Sequence, residues 1–171
     1  DITLVGKHPF YKTAVSFSIN KSDIVTSVSQ SLKDDTYKHF DIKNDIHVIP
    51  NFIELDKHRN ESLISCQRSV MAKPEERIIT HISNFRRVKR IPDVIKIFYK
   101  IQQEIPSKLM MVGDGPEKEA AEQMCVDLGI QDKVIFFGNS NEIDQILSYS
   151  DLFLLPSETE SFGLAALEAM A

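Results

Sequence analysis

Two carboxylates, Glu160 and Glu168, stand eight positions apart around Phe162 and Gly163 in the stretch ETESFGLAALEAMA, Glu158 to Ala171. An apolar run, Leu152 to Leu155, precedes them, and a helix-forming series with Leu164, Ala165, Ala166, Leu167 and Met170 follows. This reads as a buried strand, a short loop and a helix. If the helix begins at Ser161, Phe162 and Gly163 occupy its first turn, where free amides favour a negatively charged group such as a phosphate oxygen. Glu168 then lies two turns further on, ~12 Å from Glu160 if helical geometry holds throughout. A glycosidase acid–base pair needs roughly 5 to 10 Å. The spacing therefore suits two separate hydrogen-bond acceptors, one for each end of a long polyhydroxyl ligand. The plainer alternative is a helix with one acidic residue at its amino end and another on its exposed face.

Two further stretches carry phosphate chemistry. In SNFRRVKR, Ser83 to Arg90, the side chains Arg86, Arg87, Lys89 and Arg90 put four cations in five residues just before a helix. They can neutralise a diphosphate or simply form a solvated basic loop. In GDGPE, Gly113 to Glu117, two glycines permit close backbone approach, and a helix begun at Pro116 offers its positive end to an anion. Any tight strand-to-helix turn uses the same residues. Neither G-x-G-x-x-G nor a Walker loop is present, so dehydrogenase and kinase readings lose their main support.

The elements that must position these residues are regular. Strands are expected at Ile78 to Ile82, Leu109 to Val112, Val134 to Phe137 and Leu152 to Leu155, alternating with helices starting near Pro92, Pro116, Glu142 and Ser161. Val94, Ile97, Phe98 and Ile101 stripe the first of these helices, and Ala120, Ala121, Met124 and Leu128 the second. Four β-α units in series imply a parallel sheet with right-handed crossovers, whose ligands sit beyond the carboxyl ends of the strands. Upstream, an apolar-periodic stretch runs from Tyr11 to Ile19, DIVTSVS and IHVIP read as strands, and SLKDDTYKHF reads as a helix. NFIELDKHRN has no periodicity and reads as a connection. The expected organisation is α/β throughout: residues 1–50 as the last part of one lobe, 51–73 as connection and lead-in, and 74–171 as an incomplete second, doubly wound lobe.

Composition narrows the classes. The longest uncharged apolar runs fall far short of the ~20 residues a membrane span needs. The cysteines Cys66 and Cys125 form neither a disulfide framework nor a zinc spacing, so a reducing cytoplasm is the default. A net charge of −5 argues against a nucleic-acid partner. None of the five histidines makes a helical metal pair, and structural or surface roles are expected for them. The sequence opens on Asp1 and stops at Ala171 inside a helical pattern without a stop signal, which leads us to expect a piece of a longer protein.

ESFGLAALEAMA resembles the E-x7-E signature of the family-four retaining glycosyltransferases of GT-B fold. SDIVTSVSQSL, VIPNFIE, MMVGDGPE, VIFFGN and YSDLFLLPSETESFG resemble further motifs of that family, in order along nearly the whole chain. Within it, HISNFRRVKR and DITLVG are most similar to the bacillithiol-pathway members, which join N-acetylglucosamine to L-malate. The resemblance implies two Rossmann-like lobes, here an incomplete fragment. It implies that Glu160 contacts the donor sugar hydroxyls, Glu168 the ribose of a uridine diphosphate and Lys89 the leaving diphosphate. Asn84 stands where many relatives carry an arginine, so Arg86 is expected to serve instead. Arg90 stands where a glycine is usual, which puts the loop shape in question. Gly138 to Glu142, with Asn139 and Ser140, matches the region that receives the uracil.

The implied reaction is sugar transfer with retention, by same-face attack in which the departing phosphate helps deprotonate the acceptor. Lys89, Arg86 and the amides near Gly163 would stabilise the charge on that phosphate. The implied partners are UDP-N-acetylglucosamine and a small acceptor, with no metal, no other cofactor, no nucleic acid and no membrane span; a homodimer is left open. The family's acceptor loop and catalytic-lobe histidine would lie upstream of Asp1. Two rivals stand beside this reading: a UDP-sugar epimerase of similar architecture, and a non-catalytic nucleotide-sugar-binding fragment. The E-x7-E spacing favours the transferase.

Overall fold

The structure is a computed structural model that describes residue 6, residues 8–53 and residues 64–171. Residues 1–5, residue 7 and residues 54–63, which include most of the DITLVG stretch and of the connection NFIELDKHRN, lie outside the described residues. The chain divides into two compact units.

The first unit comprises residues 1–52 and Ser161–Gly163. It contains helix α1 (Pro9–Asn20), strand β1 (Val25–Ser27), helix α2 (Gln30–His39) and strand β2 (Ile46–Val48). The strands pair in parallel, Val25 opposite Ile46. Helix α2 starts where it does because the Ser29 hydroxyl accepts the Leu32 amide at 3.1 Å, an N-cap that satisfies one of the free donors of the first turn. Asn44 Nδ2 closes the end of α1, donating to the carbonyls of Ile19 and Ser22. The apolar period read over Tyr11 to Ile19 does form a helix. None of its residues is buried among the described ones, and Phe10, Tyr11 and Phe17 are exposed.

The second unit is a four-stranded parallel sheet with helices on both faces. Helix α3 (Ile64–Met71) leads into β3 (Arg77–Ile82), followed by α4 (Ile91–Glu104), β4 (Ser107–Val112), α5 (Lys118–Asp127), β5 (Val134–Gly138), α6 (Ile143–Ser148), β6 (Leu152–Phe153) and α7 (Leu164–Met170). The strand order is β5-β4-β3-β6. Successive residues point to opposite faces. Ile79, Leu109, Met111 and Val134 pack under Ile91, Val94, Ile95 and Phe98 of α4 and under Ala121 and Cys125 of α5. Ile78, Met110 and Val112 pack with Ala72, Ile146 and Tyr149 on the other side. The four α4 residues recur at the three- and four-residue steps of one helical face. Burial pushes the Cys125 thiol up to about 11, which makes it a core residue and not a reactive one.

Several expected boundaries move. The last helix starts at Leu164 rather than Ser161, because Gly163 has φ 85, a left-handed conformation that a first helical turn excludes. The second helix starts at Lys118 rather than Pro116; Ala121 and Cys125 are its buried residues, Met124 and the C-cap Leu128 pack against the core partly buried, and Ala120 is exposed. The final strand covers Leu152–Phe153 rather than running to Leu155. The Leu154 amide still donates to Thr80 O at 2.8 Å, but Pro156 has no amide with which to continue the ladder.

At the amino ends of the strands, Asp151 gathers the second unit. Its carboxylate accepts from the Ile78 amide at 2.8 Å, from Arg77 Nη1 at 2.9 Å and from Arg68 Nη2 at 2.9 Å. Burial raises its pKa, but the Ile78 amide and the two guanidinium groups outweigh burial and hold the carboxyl below its ordinary 3.8.

Candidate functional site

The chain runs from β3 to β4 to β5 in one direction and then returns to place β6 on the other side of β3. The strand order therefore reverses between β3 and β6, and in open α/β sheets the crevice beyond the carboxyl ends at such a reversal is the ligand site. Backbone pairing between these two strands is short, Ile79 with Leu152 and Thr80 with Phe153. Beyond Thr80 the two strands part, and the loops that follow them carry Lys89 and Glu160.

The loop after β3 is held by the loop after β4. The Ser83 amide donates to Val112 O at 3.1 Å, Phe85 N to Asp114 O at 2.8 Å and Glu117 N to Phe85 O at 2.9 Å. Phe85 is fully buried between them. The approach is so close that a Cβ on Gly113 (φ 123) would lie 1.9 Å from Ser83 O. One on Gly115 would lie 2.7 Å from Phe85 O. Loop packing alone thus demands glycine at both positions of GDGPE. A third loop joins them: Gly113 N donates to Gly138 O at 2.7 Å. Ser140 Oγ accepts the Glu142 amide at 3.1 Å, which sets the turn into α6, while Asn139 is exposed.

From this base the chain makes a single 3-10 turn over Arg87–Lys89. Arg90 follows with φ 57 and ψ 42, the left-handed conformation that favours glycine. The loop thus keeps a glycine-like shape with an arginine in it, and the Arg90 guanidinium is tied to Asp93 at 2.6 Å. Lys89 Nζ donates to Glu160 Oε1 at 2.6 Å, with the two side chains 18% and 27% exposed. A second tie lies beside it, from the Glu158 amide to Val88 O at 2.8 Å. Of the four cations, Lys89 and Arg90 have carboxylate partners, and Arg86 and Arg87 are exposed with no ion pair among the described residues. Asn84 is exposed, and its carbonyl accepts the Arg86 amide at 2.7 Å.

The structure thus brings Lys89 and Glu160 together and sets Asn84 and Arg86 in the same loop as Lys89. Glu168 lies on α7, half-buried. Because α7 begins four residues after Glu160, the ~12 Å separation counted on an unbroken helix no longer applies. Phe162 and Gly163 precede the helix, so the free amides of its first turn belong to Leu164, Ala165 and Ala166.

Sequence reasoning missed two polar residues near these loops. His81 is fully buried at the end of β3, with Nδ1 2.8 Å from Leu154 O and Nε2 2.7 Å from Ser83 Oγ. Burial lowers its pKa, the Leu154 carbonyl opposes that, Lys89 adds to the lowering and Glu160 counters it. Ser157 Oγ is buried with no hydrogen-bond partner among the described residues. The signal for His81 was a titratable residue inside the apolar strand IITHI; a lone serine in a polar loop gives none. No cluster of three or more His, Cys, Asp or Glu suited to a metal ion occurs among the described residues. No helix among them is long and apolar enough to cross a membrane.

The sequence matches the profile of the glycosyl transferases group 1 over residues 66–171 and that of glycosyltransferase family 4 over residues 2–57. It is 42% identical over 171 residues to the N-acetyl-alpha-D-glucosaminyl L-malate synthase of Bacillus anthracis, covering 100% of this chain and 45% of that protein. It is 32% identical over 154 residues to an uncharacterized glycosyltransferase of Methanocaldococcus jannaschii, covering 86% and 40%. The chain spans about half the length of the curated relatives it matches. Among solved structures, Anabaena HepE in complex with UDP and glucose superposes with a TM-score of 0.87 at 22% identity, covering 99% of this chain and 48% of that one. The fold is of the GT-B type expected, and with the larger part of its length matched by the first profile, the chain belongs to the group 1 glycosyl transferases.

Proposed function

We propose that this chain is the donor-binding part of a retaining glycosyltransferase that moves N-acetylglucosamine from UDP-N-acetylglucosamine to L-malate in the cytoplasm. One observation carries the reading: the Lys89–Glu160 pair, 2.6 Å apart, at the crevice where the strand order reverses. A cation and a carboxylate fixed side by side match the two parts of a sugar nucleotide, an anionic diphosphate next to a neutral polyhydroxyl ring. Lys89 takes the diphosphate, assisted by Arg86, which has no ion pair among the described residues, and Glu160 accepts from the sugar hydroxyls. Glu168 accepts from the ribose, and the backbone around Asn139 and Ser140 receives the uracil.

The choice of sugar and acceptor is supported by the activity for which the Bacillus anthracis relative is named. The choice of a uridine diphosphate is supported by the ligand bound to the Anabaena structure. As the bond from anomeric carbon to phosphate breaks, negative charge grows on the leaving diphosphate. Lys89 and Arg86 stabilise it in this scheme, which draws its counter-charge from side chains rather than from a metal ion. Attack from the same face lets the departing phosphate take the acceptor proton, which gives retention.

The test is mass spectrometry of the complete protein incubated with UDP-N-acetylglucosamine and a panel of acceptors including L-malate. The expected product is an α-linked N-acetylglucosaminyl malate. Transfer only to a sugar or lipid acceptor would defeat the malate assignment, and free interconversion of UDP-sugars without transfer would favour an epimerase.

A further inference from the structure

We propose that His81 is a positioning residue of the donor site, and that it sets the geometry of Lys89 and Glu160 through the hydroxyl of Ser83. The proposal rests on the donor-site reading above.

The protonation of the ring follows from its neighbours. A carbonyl oxygen only accepts, so Nδ1, 2.8 Å from Leu154 O, carries the hydrogen and donates it. In the neutral ring Nε2 then accepts, and the Ser83 hydroxyl at 2.7 Å is the donor. Full burial and the nearby Lys89 both favour this neutral form.

The position of the ring gives the bond pattern its purpose. Backbone pairing between β3 and β6 ends with Thr80, and the amide of Leu154 makes the last contact, to Thr80 O. Past that point no ladder holds the two strand ends. The imidazole takes over, reaching from the β3 side to the Leu154 carbonyl on one hand and the first residue of the next loop on the other. Leu154 lies six residues before Glu160, and Ser83 lies six residues before Lys89. The ring therefore fixes, at its base, the separation of the two loops whose tips meet in the ion pair. An aliphatic residue would fill the same core position against Phe85 without the cost of burying a polar ring, so packing alone gives no reason for a histidine there.

The experiment uses the complete protein, with UDP as the calorimetric probe and a thermal melt on each variant. Ser83→Ala removes the hydroxyl alone. His81→Asn keeps a donor for Leu154 O, since its amide nitrogen occupies much the same place as Nδ1, and loses the acceptor for Ser83. Each is expected to weaken UDP about three- to tenfold, the range of one net hydrogen bond, with little change in melting temperature. The double variant should lose no more than either single one, because both break the same link. Ser83→Thr, which retains a hydroxyl, should bind close to normally. Wild-type affinity in Ser83→Ala and His81→Asn, or additive losses in the double variant, would overturn the positioning role while Lys89→Ala still lost UDP. Unchanged affinity in all of these, Lys89→Ala included, would overturn the donor-site reading along with it.

Discussion

Lys89 and Glu160 are 71 positions apart in the chain and 2.6 Å apart in space, joined across the gap between β3 and β6. Neither side chain is more than about a quarter exposed, at 18% and 27%. Each satisfies the other. On the proposed reading a sugar nucleotide offers each of them a new partner, an anion for the lysine and hydroxyl donors for the glutamate, and this division of labour predicts separable effects of substitution.

Glu160→Gln should leave UDP affinity within about twofold, because UDP lacks the donor sugar ring proposed as its partner, and should weaken UDP-N-acetylglucosamine by about 1.5 to 3 kcal/mol. Glu168→Gln should weaken UDP itself. Calorimetry with both ligands separates the two residues, and equal losses of UDP affinity in the two variants would contradict the assigned roles.

Gly113→Ala should unfold the site region rather than merely weaken binding. Its Cβ would meet Ser83 O at 1.9 Å in a backbone conformation with φ 123 that L residues rarely adopt. A loss of about 3 kcal/mol or more in stability is expected from such a clash with backbone. Chemical denaturation of the variant reads it directly, and a near-neutral result would mean that the two loops do not approach this closely.

Arg90 offers a comparison in which the lost ion pair cancels. Both Arg90→Gly and Arg90→Ala remove the contact to Asp93, but only alanine keeps the steric cost of φ 57. The glycine variant should be the more stable of the two by about 1 kcal/mol. Equal stabilities would show that the residue leaves the left-handed region in solution.

Asp151 governs the acid limb of stability. Its folded pKa lies below 3.8, so the carboxylate contributes stability that is fully present above that value and is lost as pH falls through the lower, folded value. Asp151→Asn should cost about 1 to 3 kcal/mol near neutral pH and flatten the decline of stability below about pH 4. An unchanged acid limb in the variant would assign the decline to other carboxylates.

Much of the second unit was legible because its signals are local and agree with one another. Of the stripe read as Val94, Ile97, Phe98 and Ile101, Val94 and Phe98 are fully buried and Ile101 packs against the core, while Ile91 and Ile95 complete the face in place of Ile97; Pro92 stands in the first turn, and apolar runs such as Leu109 to Val112 suit a sheet covered on both faces. The boundaries that moved depend on single backbone conformations. The positive φ of Gly163 and the missing amide of Pro156 set where a helix starts and a strand stops, and helix-forming composition around them points the other way. The pairing of Lys89 with Glu160 was not readable from spacing, since it depends on β6 returning beside β3 rather than beyond β5. Resemblance marked both residues, but the contact is a property of the topology. His81 escaped for a related reason: its two partners, Leu154 O and Ser83 Oγ, come from different strand ends, and the hydrogen bond to a backbone carbonyl leaves no mark on side-chain pattern.

Calorimetric titration of UDP into the complete protein and its Lys89→Ala variant decides whether Lys89 contributes to diphosphate binding. Removing the cation proposed to hold the diphosphate should weaken UDP by about 1.5 to 3 kcal/mol, roughly ten- to 150-fold, with the fold intact by thermal melt. A folded Lys89→Ala protein that binds UDP as tightly as the wild type would show that the crevice between β3 and β6 does not hold the diphosphate.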